Sequence, residues 1–209
     1  MPLMPAFRRR KKSAAVVGRL LAGYGELELL LAFCVGAADA SRTKPKAGQQ
    51  LGEHRIYHEH QAIKDMFRER GETKRFNVAK NRMNKVFAAA GMTNDYSEIM
   101  GAMGQCLKIR NLFAHCHWAQ SKKRGLFFIN LEDAAVVSGD LKLDTFRHAN
   151  QKTLARLEDF FWYTFVCLDY LAKALAVKTK VMRGPVPNKP SRKPPLPKHD
   201  VLFPLKSFH

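Results

Sequence analysis

Apolar residues recur at helical spacing along most of this chain. Over residues 13–38, Val17, Leu20, Leu21, Tyr24, Leu27, Leu31, Cys34 and Val35 form one stripe, and Ser13 is placed to cap its start. A polar loop with Pro45 precedes a second helix over about 51–70, whose apolar side is Ile56, Ile63, Met66 and Phe67 and whose stop is Gly71. A third, over about 72–90, uses Phe76, Ala79, Met83, Val86 and Phe87 and ends at Gly91. Thr93, Asn94 or Asp95 can cap a fourth, carrying Tyr96, Ile99, Met103 and Leu107. After Gly125 the period changes: LFFIN, AAVVS and LKL are short β-prone runs broken by turn residues such as Ser138-Gly139-Asp140, and read as a small hairpin. From Asp144 or Thr145 to about Val177 a long helix turns Leu154, Leu157, Phe161, Phe165, Leu168 and Leu175 inward. Its residues 160–163 are aromatic all round, which marks a central helix or a subunit interface. The pattern predicts an all-α, up-and-down helical bundle with a small β-hairpin inserted before the last long helix.

Charge adds a partner class to this picture. The formal net charge is +18. Residues 1–12 carry five basic residues (Arg8, Arg9, Arg10, Lys11, Lys12) and no acidic one, and residues 181–209 carry six against Asp200. The organisation is therefore a basic arm at 1–12, a helical domain at 13–180 and a Pro-rich basic tail at 181–209, and the basic balance favours a polyanion such as nucleic acid. RKPPLPK in the tail fits a polyproline II ligand, although the sequence favours the plainer reading as an extended linker. Cys34, Cys106, Cys116 and Cys167 are scattered within apparent helices and form neither a disulfide framework nor a metal clip. The apolar stretch after FRRRKK is interrupted by Arg19, Glu26 and Glu28, which argues against a signal peptide or a membrane span and for a cytoplasmic protein.

Candidate chemistry lies at the end of the fourth helix. Arg and His five positions apart are a weak signal alone, because 16 arginines and 8 histidines in 209 residues give about 0.6 such pairs by chance. Arg55 and His60 share the spacing as a decoy. The context of Arg110 is more specific, since Arg110-Asn111-Leu112-Phe113-Ala114-His115 closes an amphipathic helix just before the strands. On a helix Asn111 and His115 share a face, so the amide can orient the imidazole, the side chain best suited to proton transfer near neutrality. Arg110 can clamp phosphate oxygens as charge builds on them. Glu28 is the other unusual residue. It sits in the middle of an apolar stripe and needs a cationic or hydrogen-bonding partner: Arg110 is the first candidate as the group it would orient, and an exposed bundle edge or another Lys or Arg partner explains it equally.

The Arg110–His115 segment resembles the R-N-x-x-x-H motif of the HEPN family, and the order of helices across residues 13–180 resembles the HEPN layout. That resemblance implies a metal-independent endoribonuclease, without cofactor, that cuts RNA to a 2′,3′-cyclic phosphate and a 5′-hydroxyl. It also implies a homodimer with two motifs facing one cleft, in a toxin or defence effector with an antitoxin or other protein partner. The alternative is a non-catalytic basic helical dimer that holds nucleic acid or protein. Two positions after the motif His, some HEPN toxins carry a modifiable Tyr; here His117 stands there, available as a second acid or base. His54, His58 and His60 with Glu53 and Glu59 resemble a metal cluster but lack the paired Glu-x-x-His helices of a di-metal bundle, and read as a solvated polar face.

Overall fold

The computed structural model describes residues 5–121, 125–130, 147–191 and 193–196. Within them lie five α-helices: α1 (Lys11–Arg42), α2 (Leu51–Arg68), α3 (Glu72–Ala89), α4 (Thr93–Ala114) and α5 (Gln151–Lys178). A 3-10 turn at Pro5–Phe7 precedes them, and strands β1 (Cys116–Ser121), β2 (Gly125–Asn130) and β3 (Arg147–His148) fall between α4 and α5. The strands form one antiparallel sheet in the order β1-β2-β3, with Trp118 opposite Phe128 and Phe128 opposite Arg147. The protein is thus mostly helical with a small three-stranded sheet where the period was read to change.

Four local expectations are corrected. Ser13 is not a cap: α1 begins at Lys11 and Ser13 is buried inside it. The last helix begins at Gln151, because Arg147 and His148 pair with β2 and Asn150 Oδ1 accepts the Thr153 N–H at 2.7 Å, capping α5. The hairpin is CHWAQS with GLFFIN, so its first strand lies before Gly125, where the β-prone runs were expected to begin; AAVVS and LKL lie outside the described residues. The inward face of α2 is also rotated from its expected position. His54, Ala62 and Met66 are buried, while Ile56 and Phe67 are nearly half exposed.

The chain forms two compact units. The larger comprises Tyr24–Leu107 and Trp162–Lys193. Its helices are held by long-range polar contacts around an apolar interior. Arg82 of α3 bridges Asp39 of α1 and Asp65 of α2, Cys34 of α1 donates to the Leu168 carbonyl of α5 at 3.3 Å, and the Phe87 and Tyr96 rings stack at 5.2 Å. Gly36 lets α1 and α2 meet backbone to backbone, since a Cβ there would lie 2.6 Å from Glu59 Cα. Past α5, Lys180 takes a left-handed φ of 60° and Val181 is buried beside Ala40 and Ala176. The described part of the Pro-rich stretch that follows is non-helical, and Lys189 ties it down: its Nζ donates to Asp95 at 2.8 Å and Glu98 at 2.7 Å.

The smaller unit contains the start of α1 up to Gly23 and the segment Lys108–Phe161, which holds the end of α4, the sheet and the start of α5. Its centre is aromatic. Trp118 packs on Phe113 and Phe128, each with ring centroids 5.2 Å away, and Phe113 meets Phe128 at 5.5 Å. Arg19 of α1 forms a two-pronged pair with Glu158 of α5. By length and composition α1 and α5 could cross a membrane, yet more than half of each apolar stretch is buried within this fold.

Candidate active site

The last turn of α4 sorts the motif by side-chain chemistry. Leu112 and Phe113 point into the aromatic centre and are buried, whereas Arg110 and Asn111 are half-buried and His115 is exposed. Helical period makes this division: two adjacent apolar spacers face inward and the polar residues flanking them face out. The helix stops at Ala114, but the His115 N–H still bonds the Asn111 carbonyl at 3.1 Å, so His115 continues the helical turn at the junction with β1. The junction is fixed on its far side by Trp118, three residues on, which the alternation of β1 drives into the Phe113–Phe128 cluster.

Arg110 Nη1 donates to Asn111 Oδ1 at 3.1 Å. The amide therefore engages the guanidinium, not the imidazole as the helix-face argument anticipated, and its effect is to steer Arg110. The His115 ring makes no side-chain hydrogen bond among the described residues, and the residue is exposed. His117 is also exposed, but it lies on β1 opposite Ile129 rather than at a helix end.

Cys116, beside His115, is no competing nucleophile. Its thiol donates to the Phe113 carbonyl at 3.4 Å, and burial pushes its pKa up to about 12, so it stays protonated near neutrality.

Glu28 does not serve Arg110. Its carboxylate is gripped by Arg75 of α3, with Nε to Oε1 at 2.8 Å and Nη2 to Oε2 at 3.0 Å. The same guanidinium donates to the Glu69 carbonyl and lies over the Phe67 ring, 5.3 Å from its centroid. The hydrogen bond to Glu28 raises the Arg75 pKa further. Glu28 is thus a structural residue of the larger unit, and an equivalent Arg could not be selected from the stripe pattern because many basic residues share that periodicity.

Of the histidines on α2, His60 is exposed as expected and His58 half-buried, but His54 is withdrawn from solvent. His54 is buried, with Nε2 3.2 Å from the Ala40 carbonyl at the end of α1 and 3.3 Å from Thr43 Oγ1, which also meets His58 Nε2 at 3.0 Å. The Ala40 carbonyl also accepts the Thr43 N–H at 3.4 Å, so His54 adds a second contact at the end of α1. Desolvation lowers the His58 pKa. Among the described residues no three or more His, Cys, Asp or Glu side chains are grouped to hold a metal ion. The decoy pair has other duties, with Arg55 bound to Glu59 and to Met182 Sδ.

The residues that sequence reasoning missed are Phe113, Trp118 and Phe7. The Phe7 ring lies 5.2 Å from that of Trp118, which ties the N-terminal segment to the strand leaving the motif. Phe113 within the polar motif and Trp118 three residues past it were the available signal. Comparison with protein-family models, with curated proteins and with solved structures returned no match.

Proposed function

We propose that the protein is a HEPN-type, metal-independent endoribonuclease acting through Arg110, Asn111 and His115. The observation that carries this reading is the sorting at the end of α4. The apolar spacers are buried, while half-buried Arg110 and Asn111, bonded to each other, and exposed His115 share one helix end. A helix that needed these residues only for packing would have buried them or paired His115.

In the proposed reaction the His115 imidazole takes the proton of an RNA 2′-hydroxyl, and the 2′-oxygen attacks the adjacent phosphorus. The bond from phosphorus to the 5′-oxygen breaks as the cyclic phosphate forms, and the leaving oxygen takes a proton from an imidazolium or water. Arg110, steered by Asn111, offers its N–H groups to the phosphoryl oxygens as their charge grows. We propose a homodimer that brings two motifs to one cleft. The exposed Trp162, stacked on Phe165 with centroids 5.3 Å apart, supplies an apolar patch for such an interface. The rest of the aromatic run is unavailable, since Phe160, Phe161 and Tyr163 are buried.

The test is incubation of purified protein with single-stranded RNA in EDTA, beside the His115→Ala variant and a substrate lacking the 2′-hydroxyl 5′ of the cut. Cleavage by the parent alone, and only of the hydroxylated substrate, supports the reading. An absolute need for Mg²⁺, or cleavage of the 2′-deoxy substrate, refutes it.

A further inference from the structure

The N-terminal basic segment is not a free tail. Ala6 is buried and Phe7 is half-buried with its ring on Trp118. Trp118 in turn packs on Phe113, which lies two residues from both Asn111 and His115. Two successive ring contacts, each with centroids 5.2 Å apart, therefore connect the anchor of this segment to the helix end that carries the motif. The next five residues, Arg8, Arg9, Arg10, Lys11 and Lys12, are all exposed, and none has an acidic partner among the described residues. The first acidic residue in the chain is Glu26.

These charges also oppose local structure. Lys11 and Lys12 open α1, whose first turn contains no acidic residue, so cations sit at the positive end of the helix dipole. Arg19 in the same unit shows how a structural cation is used, paired with Glu158. Residues 8–12 stabilise nothing comparable in the fold. An anion from outside would both neutralise them and complement the helix end.

We propose that residues 8–12 form a phosphate-gripping strip of the Arg110–His115 site, held beside it by the Phe7–Trp118 contact and binding the backbone of single-stranded RNA. The proposal rests on the nuclease reading for its substrate. Its contribution is placement: the strip holds the strand flanking the cut, where the rest of the basic surface offers only diffuse attraction. Contacts to phosphates carry no base identity, so the strip adds affinity without sequence preference.

The test uses full-length protein carrying His115→Ala, so that RNA remains intact, and a labelled single-stranded RNA oligonucleotide titrated over a range of salt. Each phosphate contact to a single strand contributes roughly 0.7 to the slope of log affinity against log salt. Arg8→Gln/Arg9→Gln/Arg10→Gln should flatten that slope by about 2. Lys44→Gln/Lys64→Gln/Lys74→Gln, which removes equal charge from exposed positions in the other unit, should leave it unchanged. An unchanged slope for the arginine variant, or equal flattening by both triplets, overturns the strip. Loss of binding to phosphatidylserine vesicles with an unchanged RNA slope would assign the segment to a membrane surface and overturn it too. Failure of the two readings separates cleanly. Cleavage with an unchanged slope removes the strip and leaves the nuclease; a flattened slope without cleavage by the parent removes the nuclease and leaves an RNA-binding strip.

Discussion

Arg75 closes two nitrogens on the carboxylate of Glu28, at 2.8 and 3.0 Å, from a helix 47 residues further along the chain. Both side chains are largely withdrawn from water, at 15% and 7% exposure. Removing one partner strands the other, and that penalty exceeds the net worth of the pair. Arg75→Met should cost about 3–5 kcal/mol in chemical denaturation, while Glu28→Leu/Arg75→Met should recover most of that loss. If the double variant is no more stable than the single one, the stranded carboxylate is not the cause.

Tyr24 lies one turn before Glu28 and presents the opposite case. Its hydroxyl is buried without a hydrogen-bond partner among the described residues, and burial together with the Glu28 charge raises its pKa. An unsatisfied buried hydroxyl is a cost the fold already bears, so Tyr24→Phe should leave stability unchanged or raise it by about 1 kcal/mol. A clear loss in the same denaturation assay would reveal a bond that this geometry lacks.

Gly36 sets two effects against each other. Alanine improves helix propensity by about 1 kcal/mol. Its Cβ would meet the Glu59 backbone at 2.6 and 2.8 Å, where no rotamer change can relieve the contact. Overpacking against backbone should win, and Gly36→Ala should lower stability by about 2 kcal/mol or more. Stability equal to the parent would mean that α1 and α2 separate readily.

His115 is exposed, so its replacement should separate activity from folding. His115→Ala should reduce single-turnover RNA cleavage by about 10²-fold or more, the usual scale of a lost acid–base group. Stability should change by less than about 0.5 kcal/mol. Asn111→Ala should act through Arg110, lowering cleavage less than Arg110→Ala does while the imidazole step persists. A cleavage rate unmoved by His115→Ala would remove the imidazole from the mechanism.

The Lys189 clip should respond to acid. The Lys189 hydrogen bonds hold Asp95 and Glu98 below their ordinary pKa values. Groups whose pKa is depressed by folding contribute stability above the unfolded value and lose it as pH falls through the folded one. The clip should therefore hold at neutral pH and open from about pH 4 downward. Lys189 is shifted upward, so its share persists through the whole neutral range. Because the pair is partly exposed, the stabilisation is small and the useful readout is local. The Ser191 and Lys193 amide resonances should move toward disordered-chain positions on acidification, and do so at pH 7 in Lys189→Met. Unmoved resonances in that variant would show that other contacts hold the segment.

What the sequence determined by itself was local. Helical spans follow from a 3.6-residue recurrence that each segment carries internally, so α2, α3 and α4 begin and α3 ends near the expected residues. The motif was legible for the same reason: Arg110, Asn111 and His115 lie within two turns, and Leu112 and Phe113 between them mark which side faces in. Tertiary structure decided everything that depends on distant partners. Strand pairing between Phe128 and Arg147 moved the start of α5 to Gln151, because a ladder bond outweighs the weak helix preference of a few flanking residues. The partner of Glu28 was chosen among 36 cations by which helix packs opposite, and Phe7 met the Trp118 ring from far along the chain. Side-chain pairs far apart in sequence form after the backbone is placed, and no spacing rule along the chain encodes them.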